Sequence, residues 1–150
     1  MSPHGDRAGA GRNLAALVLS ALIALAHGGE DRSVWEGVYT SEQAAAGAEV
    51  FSQACLACHS NAPGGAGGHG PAPSLIGEDF EFRWIDSSVA DLLDVTRQTM
   101  PEAAPNSLST QQYMQLVAYI LQLNGYPAGE AALDPAARSE LMRIYIEPAP

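Results

Sequence analysis

The sequence predicts an all-α protein with long loops, and three observations carry that prediction. Apolar residues recur at helical spacing behind capping residues, Gly and Pro punctuate the segments between them, and no stretch alternates as a strand should. The 150 residues are 47% hydrophobic and 16% charged, which supplies one packed core and argues against global disorder.

The N-terminal segment reads as an address. Residues 1–13 are polar and Gly-rich, with Arg7 and Arg12 as their positive charges, and Leu14 to Ala26 then runs thirteen residues without a charge. A spanning helix needs about 20 apolar residues. A basic start, a short apolar run and the small-residue ending Ala24-Leu25-Ala26 fit a secretory signal cleaved after Ala26. The expected organisation is a signal peptide at 1–26, a lead-in at 27–39, a domain at 40–127 and an extension with a short helix at 128–150. Export places the mature chain in the periplasm, with no spanning segment once the signal is removed.

Within the mature chain, Thr40 or Ser41 caps a helix that starts near Gln43 and runs toward Cys58, with Ala46, Val50, Phe51 and Ala54 on one face. Residues 60–77 are rich in Gly and Pro and read as a long functional loop. Ser87 or Ser88 caps a short helix through Val95, which Pro101 and Pro105 prevent from continuing. Ser109 or Thr110 caps the best helix, Gln111 to Leu123, with Leu116, Val117, Ile120 and Leu121 apolar and Asn124-Gly125 at its end. A short helical segment is expected between Ala136 and Ile146.

Charge excludes some partners. Seven basic residues face seventeen acidic ones, a formal charge of −10, and every basic residue is Arg. Without residues 1–26 the balance is five against sixteen, or −11. Nucleic acid and anionic lipid both want a basic face, so neither is expected as a partner.

The chemistry lies in Cys55-Leu56-Ala57-Cys58-His59, which uses both cysteines. Cysteines three apart at a helix end can each bond one vinyl carbon of a haem while the next residue presents an imidazole to the iron; C-x-x-C-H is the signature of c-type haem attachment. Three other readings compete. An exported chain could oxidise the pair to a disulfide, a thioredoxin-like pair expects a preceding strand, and zinc wants a fourth ligand beyond Cys55, Cys58 and His59. For the sixth position of a haem iron, Met100 stands out at a helix end before Pro101, 41 residues after His59. It is either a packing residue or a soft axial ligand, and the haem motif upstream favours the ligand. Met114 and Met142 fall inside helical patterns and read as core, and His69 reads as a solvated loop residue.

These landmarks occur in an order that resembles class I c-type cytochromes over residues 40–127. Gly47 and Phe51, four apart, match the first-helix pair of that family, with Leu116 and Tyr119 as their partners on the last helix. Pro73-Ser74-Leu75-Ile76-Gly77 matches its Pro-x-Leu-x-Gly stretch, and Met100-Pro101 its distal-ligand loop. The resemblance implies a cytochrome c fold of three to five helices around one covalently attached haem c. It implies His59 and Met100 as iron ligands, and a Pro73 carbonyl that accepts a hydrogen bond from His59 Nδ1.

A narrower resemblance, to bacterial cytochromes associated with quinoprotein dehydrogenases, rests on Ser74–Gly77, Phe80 to Trp84, Thr99–Pro101, Pro105–Leu108, Ala118–Leu121 and Asn124–Gly129. It implies a PQQ-dependent dehydrogenase as electron donor and a terminal oxidase or another cytochrome as acceptor. The lack of Lys excludes docking through a Lys ring. Trp84 is a candidate donor to a haem propionate, with core packing as the alternative. Arg83 and Arg97 are candidate propionate partners or plain surface residues, while Tyr113 and Tyr126 read as packing. The expected function is one-electron transfer. A haem enzyme such as a peroxidase, or a gas sensor, is the alternative and needs an open sixth position.

Overall fold

The computed structural model describes residues 29–59 and 72–150; the expected signal peptide, His69 and most of the Gly-rich loop lie outside them. The compact unit spans Asp31–Pro150. Among the described residues it holds five α-helices, α1 (Ser41–Ala54), α2 (Glu78–Trp84), α3 (Val89–Thr99), α4 (Thr110–Leu123) and α5 (Arg138–Leu141). A 3₁₀ turn covers Val34–Glu36, and two short strands, β1 (Arg32–Ser33) and β2 (Ile144–Tyr145), pair in parallel. The fold is all-α, as the sequence predicts.

Local chemistry sets the helix starts. Thr40 caps α1 by accepting from Gln43 N, while Ser88 and Ser109 open α3 and α4 with complete capping boxes. The Ser88–Asp91 hydrogen bonds hold the Asp91 carboxyl below the usual carboxylate range. The buried stripe of α1 is Gln43, Ala44, Gly47 and Phe51, so it is rotated from the predicted face, and Ala46 and Ala54 are only half-buried. On α4 the predicted Leu116, Val117, Ile120 and Leu121 are all buried, together with Tyr113, Met114 and Ala118.

α1 and α4 form the central crossing. A Cβ on Gly47 would lie 1.9 Å from the backbone oxygen of Gln115, so only a glycine permits this approach. One turn further along, the rings of Phe51 and Tyr119 pack with centroids 5.3 Å apart. The Gly–aromatic pattern of the sequence thus marks the crossing.

Three features differ from expectation. α2 has no side-chain cap, starts from Gly77 at a positive φ of 67° and has only seven residues, too short for a periodic signal. The parallel strands are two residues each, below the length at which alternation can be read. Met142 is 52% exposed rather than core, because α5 ends at Leu141 and the chain turns there into β2.

Those strands join the lead-in to the extension. Arg32 N donates to Arg143 O (2.7 Å), Trp35 Nε1 to the carbonyls of Glu147 and Pro148 (3.1 and 2.9 Å), and Tyr39 Oη to Tyr126 O. Gly129 N donates to Tyr39 O at 2.7 Å, and a Cβ on Gly129 would sit 1.9 Å from Gly37 O. Buried Gln43 ties the extension to α1, accepting from Leu133 N (2.9 Å) and donating to Leu133 O (2.8 Å).

Two stability outcomes follow. Gly47→Ala should lower the unfolding free energy by about 3 kcal/mol, since the clash is with backbone. Gln43→Ala should cost about 2 kcal/mol by leaving a buried N–H and C=O without partners. Denaturant unfolding of the haem-loaded protein measures both; a Gly47→Ala midpoint equal to wild type would refute the close crossing.

Candidate haem site

The motif cysteines lie where α1 gives out. Cys55 caps the helix through its N–H to Phe51 O, and the chain then tightens: Cys58 N donates to Cys55 O (3.1 Å) and His59 N to the same oxygen (2.8 Å). That turn holds all three side chains within one short segment. Both thiols are free, Cys55 half-buried and Cys58 exposed. Burial pushes the Cys55 thiol up to about 11, with the neighbouring Cys58 adding to the shift, so it is neutral near pH 7.

His59 is buried, at 6% exposure. Its Nδ1 lies 3.0 Å from the Pro73 carbonyl, which can only accept, so Nδ1 is the donor and Nε2 is the ring nitrogen outside this bond. The hydrogen bond implied by the resemblance is therefore present. Pro73 in turn belongs to a secured strap. Ser74 Oγ donates to Ile76 O (3.0 Å) and accepts from Ile76 N (3.3 Å), and Asn124 at the end of α4 accepts from Gly77 N (3.0 Å) and donates to Leu75 O (2.9 Å).

Met100 caps α3 at its C-terminus. Its N–H donates to Thr96 O (2.9 Å) and its carbonyl accepts from Tyr113 Oη (2.8 Å). The following loop folds back onto α3, with Asn106 N donating to Arg97 O (3.0 Å) and Arg97 Nε donating to Asn106 Oδ1 (2.7 Å). Asn106 takes a left-handed φ of 60°, which Asn tolerates better than most residues. Arg97 is thus an exposed loop fastener, and Arg83 is exposed at the end of α2. Trp84, the last residue of α2, is half-buried against the core.

Periodicity and motif spacing give Tyr113 only a packing role and Asn124 only a helix-stop role. Tyr113 fits the apolar face of α4, and Asn124 carries the ordinary helix-stop signal, so both positioning contacts were masked by a simpler reading. Met114 is fully buried, as expected.

The donor set fits a c-type haem. Two free thiols at the attachment spacing and a buried imidazole whose Nδ1 is engaged by a carbonyl, leaving Nε2 outside that bond, are what covalent attachment of one haem asks of a chain. Among the described residues no cluster of three or more His, Cys, Asp or Glu could hold a separate metal ion. Asn124→Ala should cost about 2 kcal/mol and speed hydrogen exchange at the Gly77 amide, because that N–H loses its acceptor. An exchange rate unchanged from wild type would show that the strap does not depend on Asn124.

Residues 42–120 match the family model described as cytochrome c oxidase, cbb3-type, subunit III, a span that begins in the first turn of α1 and ends within α4. No curated protein and no solved structure gives a match. The match covers more than half of the chain and contains both the C-x-x-C-H motif and Met100, so this chain belongs to that family of c-type cytochromes, which carry covalently attached haem c and work by haem-based electron transfer.

Proposed function

We propose that the protein is a periplasmic electron carrier with His59 and Met100 as the axial ligands of its single haem. The observation that carries this reading is the His59–Pro73 hydrogen bond, which engages Nδ1 and leaves Nε2 as the nitrogen for an iron, in the same short turn as the two free cysteines. Cys55 and Cys58 would hold the group covalently, each through a thioether made by adding its S–H across one vinyl double bond. Bound, the haem supplies a one-electron Fe(III)/Fe(II) couple, whose potential a Met/His pair raises.

The remaining assignments concern orientation and access. Pro73 fixes the imidazole ring and tunes its basicity. Trp84 offers an indole N–H to a propionate from the end of α2. The fastened backbone of Met100 supports a filled sixth position, which disfavours the peroxidase and gas-sensor alternatives. With no Lys and a mature charge of −11, the carrier is steered toward basic surfaces on its partners. The sequence landmarks support a PQQ-dependent dehydrogenase as donor, and the oxidase named in the family description supports a terminal oxidase as acceptor. Export through the 1–26 signal supports the periplasm; no helix among the described residues is long and apolar enough to cross a membrane.

Visible spectra of the exported protein, oxidised and dithionite-reduced, with and without carbon monoxide, test the reading. A reduced c-type spectrum indifferent to carbon monoxide is expected, and one that shifts would move the function to open-iron chemistry. Met100→Ala should create carbon monoxide binding and lower the potential by on the order of 0.1 V, a fraction of the ~0.8 V that axial ligands span. A variant with wild-type spectra would mean that another residue is the ligand.

A further inference from the structure

Tyr113 lies in the first turns of α4, fully buried, with its ring in the hydrophobic core. A packing role alone would be met by Phe, yet its hydroxyl reaches 2.8 Å to the Met100 carbonyl. On the reading of Met100 as the sixth ligand, we infer that Tyr113 is a positioning residue for that ligand.

Two bonds set the Met100 backbone. Its N–H ends the α3 ladder on Thr96 O, and its carbonyl receives the Tyr113 hydroxyl. The hydroxyl is fixed in turn, because a tyrosine ring has only two side-chain torsions and this one is wedged among buried residues. With both polar groups of the residue held, the direction in which Cα launches the thioether is set by the protein rather than by the iron. Pro101 follows and carries no N–H. The Arg97–Asn106 pair secures the far side of the loop, so the Tyr113 bond is the tie that joins the ligand residue itself to α4.

Removing the hydroxyl should therefore weaken the iron–thioether bond while leaving the core filled. The test is a titration of the ferric, haem-loaded protein with imidazole, which displaces a methionine ligand and is followed in the visible spectrum. Tyr113→Phe should bind imidazole about tenfold more tightly than wild type, the equilibrium share of one net hydrogen bond. Equal affinity in the two proteins overturns the positioning role. Met100→Ala is titrated beside them. If it binds imidazole no more tightly than wild type, Met100 is not the ligand and the functional reading fails together with the role of Tyr113. If Met100→Ala binds more tightly but Tyr113→Phe does not, only the role of Tyr113 falls.

Should Tyr113→Phe yield no folded holoprotein, proton NMR of the unmutated reduced protein decides instead. A slowly exchanging Tyr113 hydroxyl proton with a nuclear Overhauser contact to Met100 or Pro101 is expected. Rapid exchange of that proton with solvent overturns the role.

Discussion

The structure depends on one close approach, Gly47 of α1 against the backbone of Gln115 in α4. Glycine inside a helix costs roughly 1 kcal/mol relative to alanine, and here it is kept because any side chain would meet a carbonyl oxygen at 1.9 Å. The contact sets how deeply the helices cross and brings the Phe51 and Tyr119 rings together one turn on. It also relates the two ends of the site. α1 runs directly into the Cys55–His59 turn, while α4 carries Tyr113 near its start and Asn124 at its cap. α4 is thus the common support: one end fastens Met100, and the other fastens the Leu75–Gly77 strap whose neighbour Pro73 orients His59.

The lead-in and the extension stabilise that crossing by covering it. The Tyr39 hydroxyl and the Gln43 amide bond main-chain groups of Tyr126 and Leu133, Gly129 N donates to Tyr39 O beside the close Gly37–Gly129 approach, and Trp35 packs on Tyr126 with centroids 4.7 Å apart. These contacts are buried or half-buried and are worth more than the ion pairs nearby. Asp94–Arg138 at 2.6 Å and the Arg32 pairs with Glu36 and Glu140 are exposed in whole or part, where such pairs contribute little. In so acidic a chain their main effect is to relieve like-charge repulsion around α3 and α5.

What the sequence revealed depended on whether a signal was local. Caps at Thr40, Ser88 and Ser109, the α4 stripe and the C-x-x-C-H spacing are set by neighbouring residues, and the structure has them where they were expected. Gly47–Phe51 became legible through the family pattern it resembles. α2 was missed because it is short and starts from a glycine with no capping side chain. The β1–β2 pair was missed because its two residues gain their partners from more than a hundred positions away. Tyr113 and Asn124 show the same limit in the site: an apolar-face tyrosine and a helix-stop asparagine satisfy local rules completely, and their second role appears only when distant carbonyls come within reach.

The two sides of the site are held in different ways, and the difference bears on how an electron carrier keeps its geometry through both oxidation states. On the His59 side the fastening is side chain to backbone, through the imidazole itself, so the ring's orientation and its basicity are set together. On the Met100 side the groups held are the residue's own main-chain N–H and carbonyl, by the Thr96 carbonyl and the Tyr113 hydroxyl, and no bond is made through its side chain. A neutral sulfur gains little from hydrogen bonding and much from being held in place, whereas an imidazole gains from both. A backbone already fixed before ligation spares the ordering cost of forming the bond. On the proposed reading of Met100 as a ligand, a loop fastened in this way would meet the condition for transfer with little structural rearrangement.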